Sequence, residues 1–144
     1  MPPGDNFDPN HDYPIAERRP DLIRTATGRL LSQVTVDAVV AGEIGADEIR
    51  ISPEALQRQA LVAEVSGRPA LVTNFNRAAE LTRVPEQRLL EIYEALRPRR
   101  SSRSQLEAIA RELDTVYSAP LNAALVREAI DAYQRRGMLP AEPA

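Results

Sequence analysis

The sequence predicts a mainly α-helical fold, a compact helical domain of about five main helices behind a short irregular N-terminal region. Three observations carry that reading. Hydrophobic residues make up 43% of the 144 positions but aromatics only 4%. The core must therefore be built from Leu, Ile, Val and Ala, which favours helix packing over a sheet sandwich. Beyond residue 53, apolar residues recur at helical spacing, and prolines and glycines punctuate the chain where helices begin and end.

Residues 1–12, MPPGDNFDPNHD, are rich in Pro, Asp and Asn without apolar periodicity, and predict a disordered tail. The only histidine, His11, falls there, and a catalytic or metal-binding role would need ordered neighbours that such a tail rarely supplies. The helical domain is expected over 13–139. Pro14 and Pro20 break its first stretch, and Thr25-Ala-Thr-Gly-Arg predicts a turn at Gly28 between two short extended pieces, a small hairpin. Thr35 can cap a short helix over 36–41, in which Val36, Val39 and Val40 share a face and which Gly42 ends. A second small turn over 45–48 leads into Ile49-Arg50-Ile51.

Ser52 before Pro53 is an N-cap followed by a proline at the first helical position, where its missing N–H costs nothing. A helix over 53–66 follows, closed by Gly67, with Leu56, Ala60 and Ala63 as its stripe, Leu61, Val62 and Val65 beside it, and Glu54 four residues before Arg58. Pro69 starts the next helix, which runs to about Arg83 with Leu71, Val72, Phe75, Ala78, Ala79 and Thr82 facing inward. Pro85 opens a third helix on Leu89, Ile92, Tyr93 and Leu96, stopped by Pro98. Ser102 with Gln105 forms a capping box ahead of Leu106, Ile109, Ala110, Leu113 and Val116 or Tyr117, and Glu107 pairs Arg111 at i,i+4. Pro120 begins the last helix, with Leu121, Leu125, Val126, Ala129, Ile130 and Tyr133 apolar, Asp131 paired to Arg135 and Gly137 at the C-cap. Residues 140–144 predict a frayed C-terminus.

Composition bounds the function. The charged fraction of 27% is average and the net charge is −3. No hydrophobic run approaches the roughly 20 residues that span a bilayer, so no membrane contact is expected. Without cysteine there is no disulfide framework or thiolate metal site, and the first residues lack the basic and apolar regions of a signal peptide, which makes a cytoplasmic location the expectation. All 18 basic residues are Arg, which excludes lysine Schiff-base chemistry and a lysine phosphate loop. There is no Cys/His pair, HExxH, Walker or dinucleotide glycine pattern. Asp47, Glu48, Glu86, Glu107 and Glu112 fall on helix starts or outer faces, where solvation rather than acid/base catalysis is the expectation.

Two features of the stretch 74–103 stand out. Arg97, Arg99, Arg100 and Arg103 concentrate charge between two helices, which fits a partner contact, phosphates in a helix-turn-helix DNA-binding or regulatory protein, or a plain surface. Net negative charge, the lack of a second basic stripe and the lack of interleaved aromatics speak against nucleic acid. The second feature is Asn74-Phe-Asn-Arg-Ala-Ala-Glu, whose mid-helix asparagines are poor helix formers and suggest hydrogen bonds outside the chain. The candidate subunit contacts are therefore Asn74, Arg77, Glu80, Arg97, Arg99, Arg100 and Arg103.

From Tyr13-Pro14 to about Arg136, the chain resembles the small (gamma) subunit of the adenosylcobalamin-dependent diol and glycerol dehydratases. The stretches that carry this are Tyr13-Pro14, Thr25-Ala-Thr-Gly, Ile49-Arg-Ile-Ser-Pro-Glu-Ala-Leu with Gln59-Ala60, and Asn74-Phe-Asn-Arg-Ala-Ala-Glu-Leu. Val84-Pro85, Leu90-Glu-Ile-Tyr, Ala95-Leu-Arg-Pro with Arg100-Ser101, and Val126-Arg-Glu-Ala complete the ordered set. The resemblance implies a heteromeric enzyme with two copies each of a large (alpha), a medium (beta) and a small subunit. It implies that the large subunit's barrel holds the substrate and that cobalamin lies between the large and medium subunits. An adenosyl radical then takes hydrogen from the substrate, a hydroxyl migrates, and the gem-diol loses water to an aldehyde. By the same resemblance this small subunit is helical, docks on the large one, and carries no catalytic, cofactor-binding or metal-binding residue. The absence of Lys, the proline at 120 and an N-terminal tail without amphipathic-helix character depart from the family pattern. The tail gives no support to packaging in a bacterial microcompartment.

Overall fold

The computed structural model describes residues 6–142. Among them are α1 (Ile15–Arg18), α2 (Val36–Val40), α3 (Pro53–Val65), α4 (Pro69–Leu81), α5 (Glu86–Ala95), α6 (Arg103–Thr115) and α7 (Pro120–Arg135), with 3-10 turns at Pro20–Leu22 and Leu31–Gln33. The last five are the substantial ones, as the periodicity predicts. No strand occurs among the described residues, and the predicted hairpin shrinks to a single antiparallel bridge between Arg24 and Leu30. The chain divides into two compact units, whose boundary along the sequence falls within α4, between Ala79 and Glu80.

In the first unit, short-range polar bonds shape the irregular N-terminal half. Where composition predicts a tail, 6–12 carry a turn. The Asp8 side chain accepts from the Asn10 backbone N–H (2.9 Å) and lies 2.7 Å from His11 Nδ1, while Asp12 accepts from the Asp8 N–H at 2.8 Å. Residues 1–5 of that tail lie outside the described residues. Arg19 reaches back from behind α1 to Asp12 (3.1 Å) and the Asn6 carbonyl (3.2 Å), and pairs forward with Asp21 (3.0 Å). Phe7 and Ile15 are buried. The turn at Gly28 forms as predicted, with φ +89° and the Gly28 N–H on the Thr25 carbonyl at 2.9 Å. Thr25, Thr27 and Arg29 all donate to Glu48, fastening this turn to the second small turn at 45–48.

Thr35 Oγ1 accepts from the Ala38 N–H and caps α2 as predicted. Its valines are exposed, so the shared face of Val36, Val39 and Val40 is not covered by this unit. Ser52 Oγ caps α3 at 3.1 Å, Pro53 occupies the first helical position, and Leu56, Ala60 and Ala63 are buried as expected. Arg58, placed beside Glu54 by spacing, also donates to the Leu22 carbonyl at 2.8 Å and ties α3 to the N-terminal half.

The second unit is built on α6 and α7, its principal helix pair. Leu106, Ile109, Ala110 and Leu113 from α6 meet Ala123, Val126 and Ile130 from α7, with Ala119, Val84 and Ile92 completing the buried cluster. Leu81, Leu89, Leu96, Tyr117, Tyr133 and Leu139 pack around it, half-buried. Full burial of side chains such as Leu106 and Leu113 contributes about 1.5–3 kcal/mol each.

Several local expectations change. α4 ends at Leu81, two residues short of the predicted end, so Thr82 is exposed rather than inward. Tyr93 is 55% exposed where Ile92 is 4% exposed, because the α5 stripe is narrow and Tyr93 lies just off it. Val116 is exposed beyond the end of α6, leaving Tyr117 as the one that packs. Glu107 is taken by Arg103, one turn before it, rather than by the predicted Arg111 one turn after it, and no Asp131–Arg135 pair forms among the described residues. The C-terminus is not frayed through 142. Glu142 accepts from Ser102 Oγ (2.8 Å), the Ser104 N–H (3.1 Å) and Ser104 Oγ, the first turn of α6. Residues 143 and 144 lie outside the described residues.

Candidate subunit-contact surface

The seven residues singled out from the sequence fall in two groups. Asn74 and Arg77 are on α4 within the first unit, and Glu80, Arg97, Arg99, Arg100 and Arg103 are in the second. The asparagine read as needing an outside partner has one inside, since Arg77 Nη2 donates to Asn74 Oδ1 at 2.6 Å across one helical turn.

Glu80 faces inward. Its Oε1 accepts from the Leu121 N–H at 3.0 Å, and its Oε2 accepts from the Asn122 N–H at 3.0 Å and from Asn122 Nδ2 at 2.7 Å. The cause lies at residue 119. α7 begins with Pro120 after an alanine, which offers no side-chain acceptor for the free N–H groups of the first turn. A carboxylate from another helix fills that role and meets the positive end of the helix dipole. The sequence signal was available: a proline-led helix without Ser, Thr, Asp or Asn before it needs an acceptor from elsewhere.

The arginine cluster is partly neutralised by its own helices. Glu94 accepts from Arg97 Nε (3.1 Å) and from Arg100 Nε (2.9 Å) and Nη2 (2.8 Å). Arg103 pairs with Glu107 at 2.7 Å and also reaches Gln134 Oε1. Arg99 differs. Its backbone sits at φ +64°, held by its N–H on the Met138 carbonyl at 3.0 Å, and its guanidinium has no ion-pair partner among the described residues. Tyr133 Oη donates to the Leu96 carbonyl at 2.6 Å, satisfying the end of α5. The loop 97–102 is thus tied to the C-terminal end of α7.

Spacing rules could not reach the ion pair that joins α5 to α6. Arg88 on α5 makes a two-pronged contact with Glu112 on α6, Nε to Oε1 at 2.9 Å and Nη2 to Oε2 at 2.6 Å, while its Nη1 takes Glu91 at 2.8 Å. Hydrogen bonds from Arg88 hold both glutamates below the usual carboxylate range, and the Arg88 guanidinium is raised above its own, first by Glu112 and then by Glu91. Glu142 is also lowered, by Ser104 first and Ser102 second. These carboxylates are held ionised to clamp helices, the opposite of what a general acid needs. No group of three His, Cys, Asp or Glu among the described residues could hold a metal ion, and no helix among them is long and apolar enough to cross a membrane.

The family described as dehydratase small subunit matches residues 9–140. The chain is 47% identical over 128 residues to the propanediol dehydratase small subunit of Salmonella typhimurium (strain LT2), covering 89% of this chain and 74% of the relative. It is equally similar, over the same shares, to the propanediol dehydratase small subunit of Citrobacter freundii. A match across nearly all the described helices, at this identity, means that the chain belongs to the dehydratase small subunit family.

Proposed function

We propose that the chain is the small subunit of an adenosylcobalamin-dependent diol dehydratase, which converts a 1,2-diol such as propane-1,2-diol, or glycerol, to an aldehyde and water. Its role is to support assembly of the large and medium subunits, with two copies of each subunit in the enzyme. The identity of 47% along 89% of the chain to propanediol dehydratase small subunits carries the reading. The one imidazole, His11, is turned to Asp8 on an exposed turn at 2.7 Å, and the family resemblance implies a cofactor held by other subunits. Substrate and cobalamin are accordingly assigned to the partner subunits, and this chain to holding them together.

The test is co-expression of the affinity-tagged chain with the large and medium subunits of a diol dehydratase. Retention of both partners at equal stoichiometry through gel filtration is expected. A tagged chain that elutes alone contradicts the assignment.

A further inference from the structure

The arginines of the second unit are segregated, although the chain as a whole carries a net charge of −3. Three hydrogen bonds bring the α5–α6 loop against the C-terminal end of α7: Tyr133 Oη to the Leu96 carbonyl, the Arg99 N–H to the Met138 carbonyl, and Arg103 to Gln134. Arg97, Arg99, Arg100 and Arg103 are thereby gathered at the same end as Arg135 and Arg136. Glu94 and Glu107 answer Arg97, Arg100 and Arg103, whereas Arg99, Arg135 and Arg136 have no ion-pair partner among the described residues and are exposed. Glu142, held on Ser102 and Ser104, offsets part of the charge near Arg103, and the six arginines still outnumber Glu94, Glu107 and Glu142, which leaves this end positive.

Arg99 is the focus of this end. A non-glycine residue at φ +64° is held against its steric preference by the surrounding structure. Glycine would satisfy that backbone better, and arginine there leaves an exposed side chain in the same loop as Arg97 and Arg100. A guanidinium presents a rigid fork of donors that matches a carboxylate with two parallel hydrogen bonds.

We infer that the end of the second unit formed by the α5–α6 loop and the C-terminus of α7 is a docking surface for a carboxylate-rich patch on a partner subunit, with Arg99 as its anchor. The inference rests on the small-subunit reading above. That reading supplies a protein partner for the charge, and Arg is the cation enriched at protein interfaces while the net negative chain disfavours a polyanion. Complementary charge of this kind speeds encounter and fixes register, and it weakens with salt.

The backbone provides a clean test. Arg99→Gly removes the guanidinium while relaxing the positive φ, so the fold is retained and its thermal midpoint does not fall. Association of the chain with co-purified large and medium subunits is measured by biolayer interferometry at about 50 mM and about 500 mM salt. Wild type is expected to weaken steeply with salt. Arg99→Gly and the double variant Arg135→Gln/Arg136→Gln should bind about tenfold or more weakly at low salt with a shallower salt dependence, and Arg111→Gln, an exposed arginine on α6 away from this end, should match wild type. Binding by Arg99→Gly and the double variant within about twofold of wild type overturns the docking surface while leaving the small-subunit reading intact. Failure of wild type to bind the subunits at all removes both. Equal, salt-sensitive loss of duplex DNA binding in the same variants, without loss of subunit binding, overturns the choice of a protein partner.

Discussion

Glu80 and Asn122, forty-two positions apart, are joined through both the backbone and the side chain of the asparagine. Glu80 thereby acts as the N-terminal cap that α7 lacks locally. Glu80→Ala is expected to lower the unfolding free energy by about 1–2 kcal/mol, the cost of a lost cap. Urea denaturation followed by circular dichroism measures it, and a midpoint equal to wild type would show that water replaces the carboxylate without loss.

The neighbours Ile92 and Tyr93 separate core from surface on one helix. Ile92→Ala should cost about 2–5 kcal/mol because Ile92 is part of the buried cluster. Tyr93→Ala should stay within about 0.5 kcal/mol. Equal losses would mean that Tyr93, 55% exposed here, is buried in the isolated chain in solution.

Acid should weaken the α5–α6 clamp. Arg88 lowers the folded-state pKa of Glu112, and of the more exposed Glu91, below their unfolded value of about 4.3. The stabilisation is therefore full above that value and is lost as pH falls through the lowered folded value. Urea midpoints taken from about pH 6 to about pH 3 should fall, and Glu112→Gln should start lower at pH 6 and decline less. Asp8, Asp21 and Glu142 are lowered too, so part of the acid slope persists in the variant. An unchanged slope in Glu112→Gln would remove this pair as a source of it.

Ser102 is nearly fully buried, and its hydroxyl meets the Gln105 N–H of its own capping box, the Ser104 hydroxyl and the Glu142 carboxylate. Ser102→Ala should cost about 1 kcal/mol and speed amide exchange at Ser104 and Gln105. Glu142→Gln should speed exchange at Ser104 while leaving Gln105 protected. Protection at both amides in Ser102→Ala would place the cap elsewhere.

What was legible in the sequence was local. Ser52-Pro53, Thr35 and the Ser102/Gln105 box announce their helices because cap and helix are adjacent in the chain, and each cap is found with its predicted hydrogen bond. The buried stripes of α3 and α6 follow from periodicity alone. What was not legible depends on which elements meet. Arg88 finds Glu112 twenty-four positions away, Tyr133 reaches Leu96, and Glu80 caps α7, and no spacing rule reports such pairs. The candidate contacts show the same division. Asn74 stood out as a poor helix former, and the structure adds a hydrogen bond from Arg77 one turn on, which the sequence did not announce. Arg99 looked like one of four equivalent arginines, and only its φ and its lack of a carboxylate set it apart.

The central claim is that this chain belongs to a dehydratase whose assembly depends on it. It is tested most directly by co-expressing the large and medium subunits of a diol dehydratase with and without this chain. Aldehyde formation from propane-1,2-diol is then assayed in the presence of adenosylcobalamin. A soluble three-subunit complex that turns over, and loss of assembly and activity when the chain is omitted, is the expected result. Assembly and turnover undiminished by its omission would contradict the account.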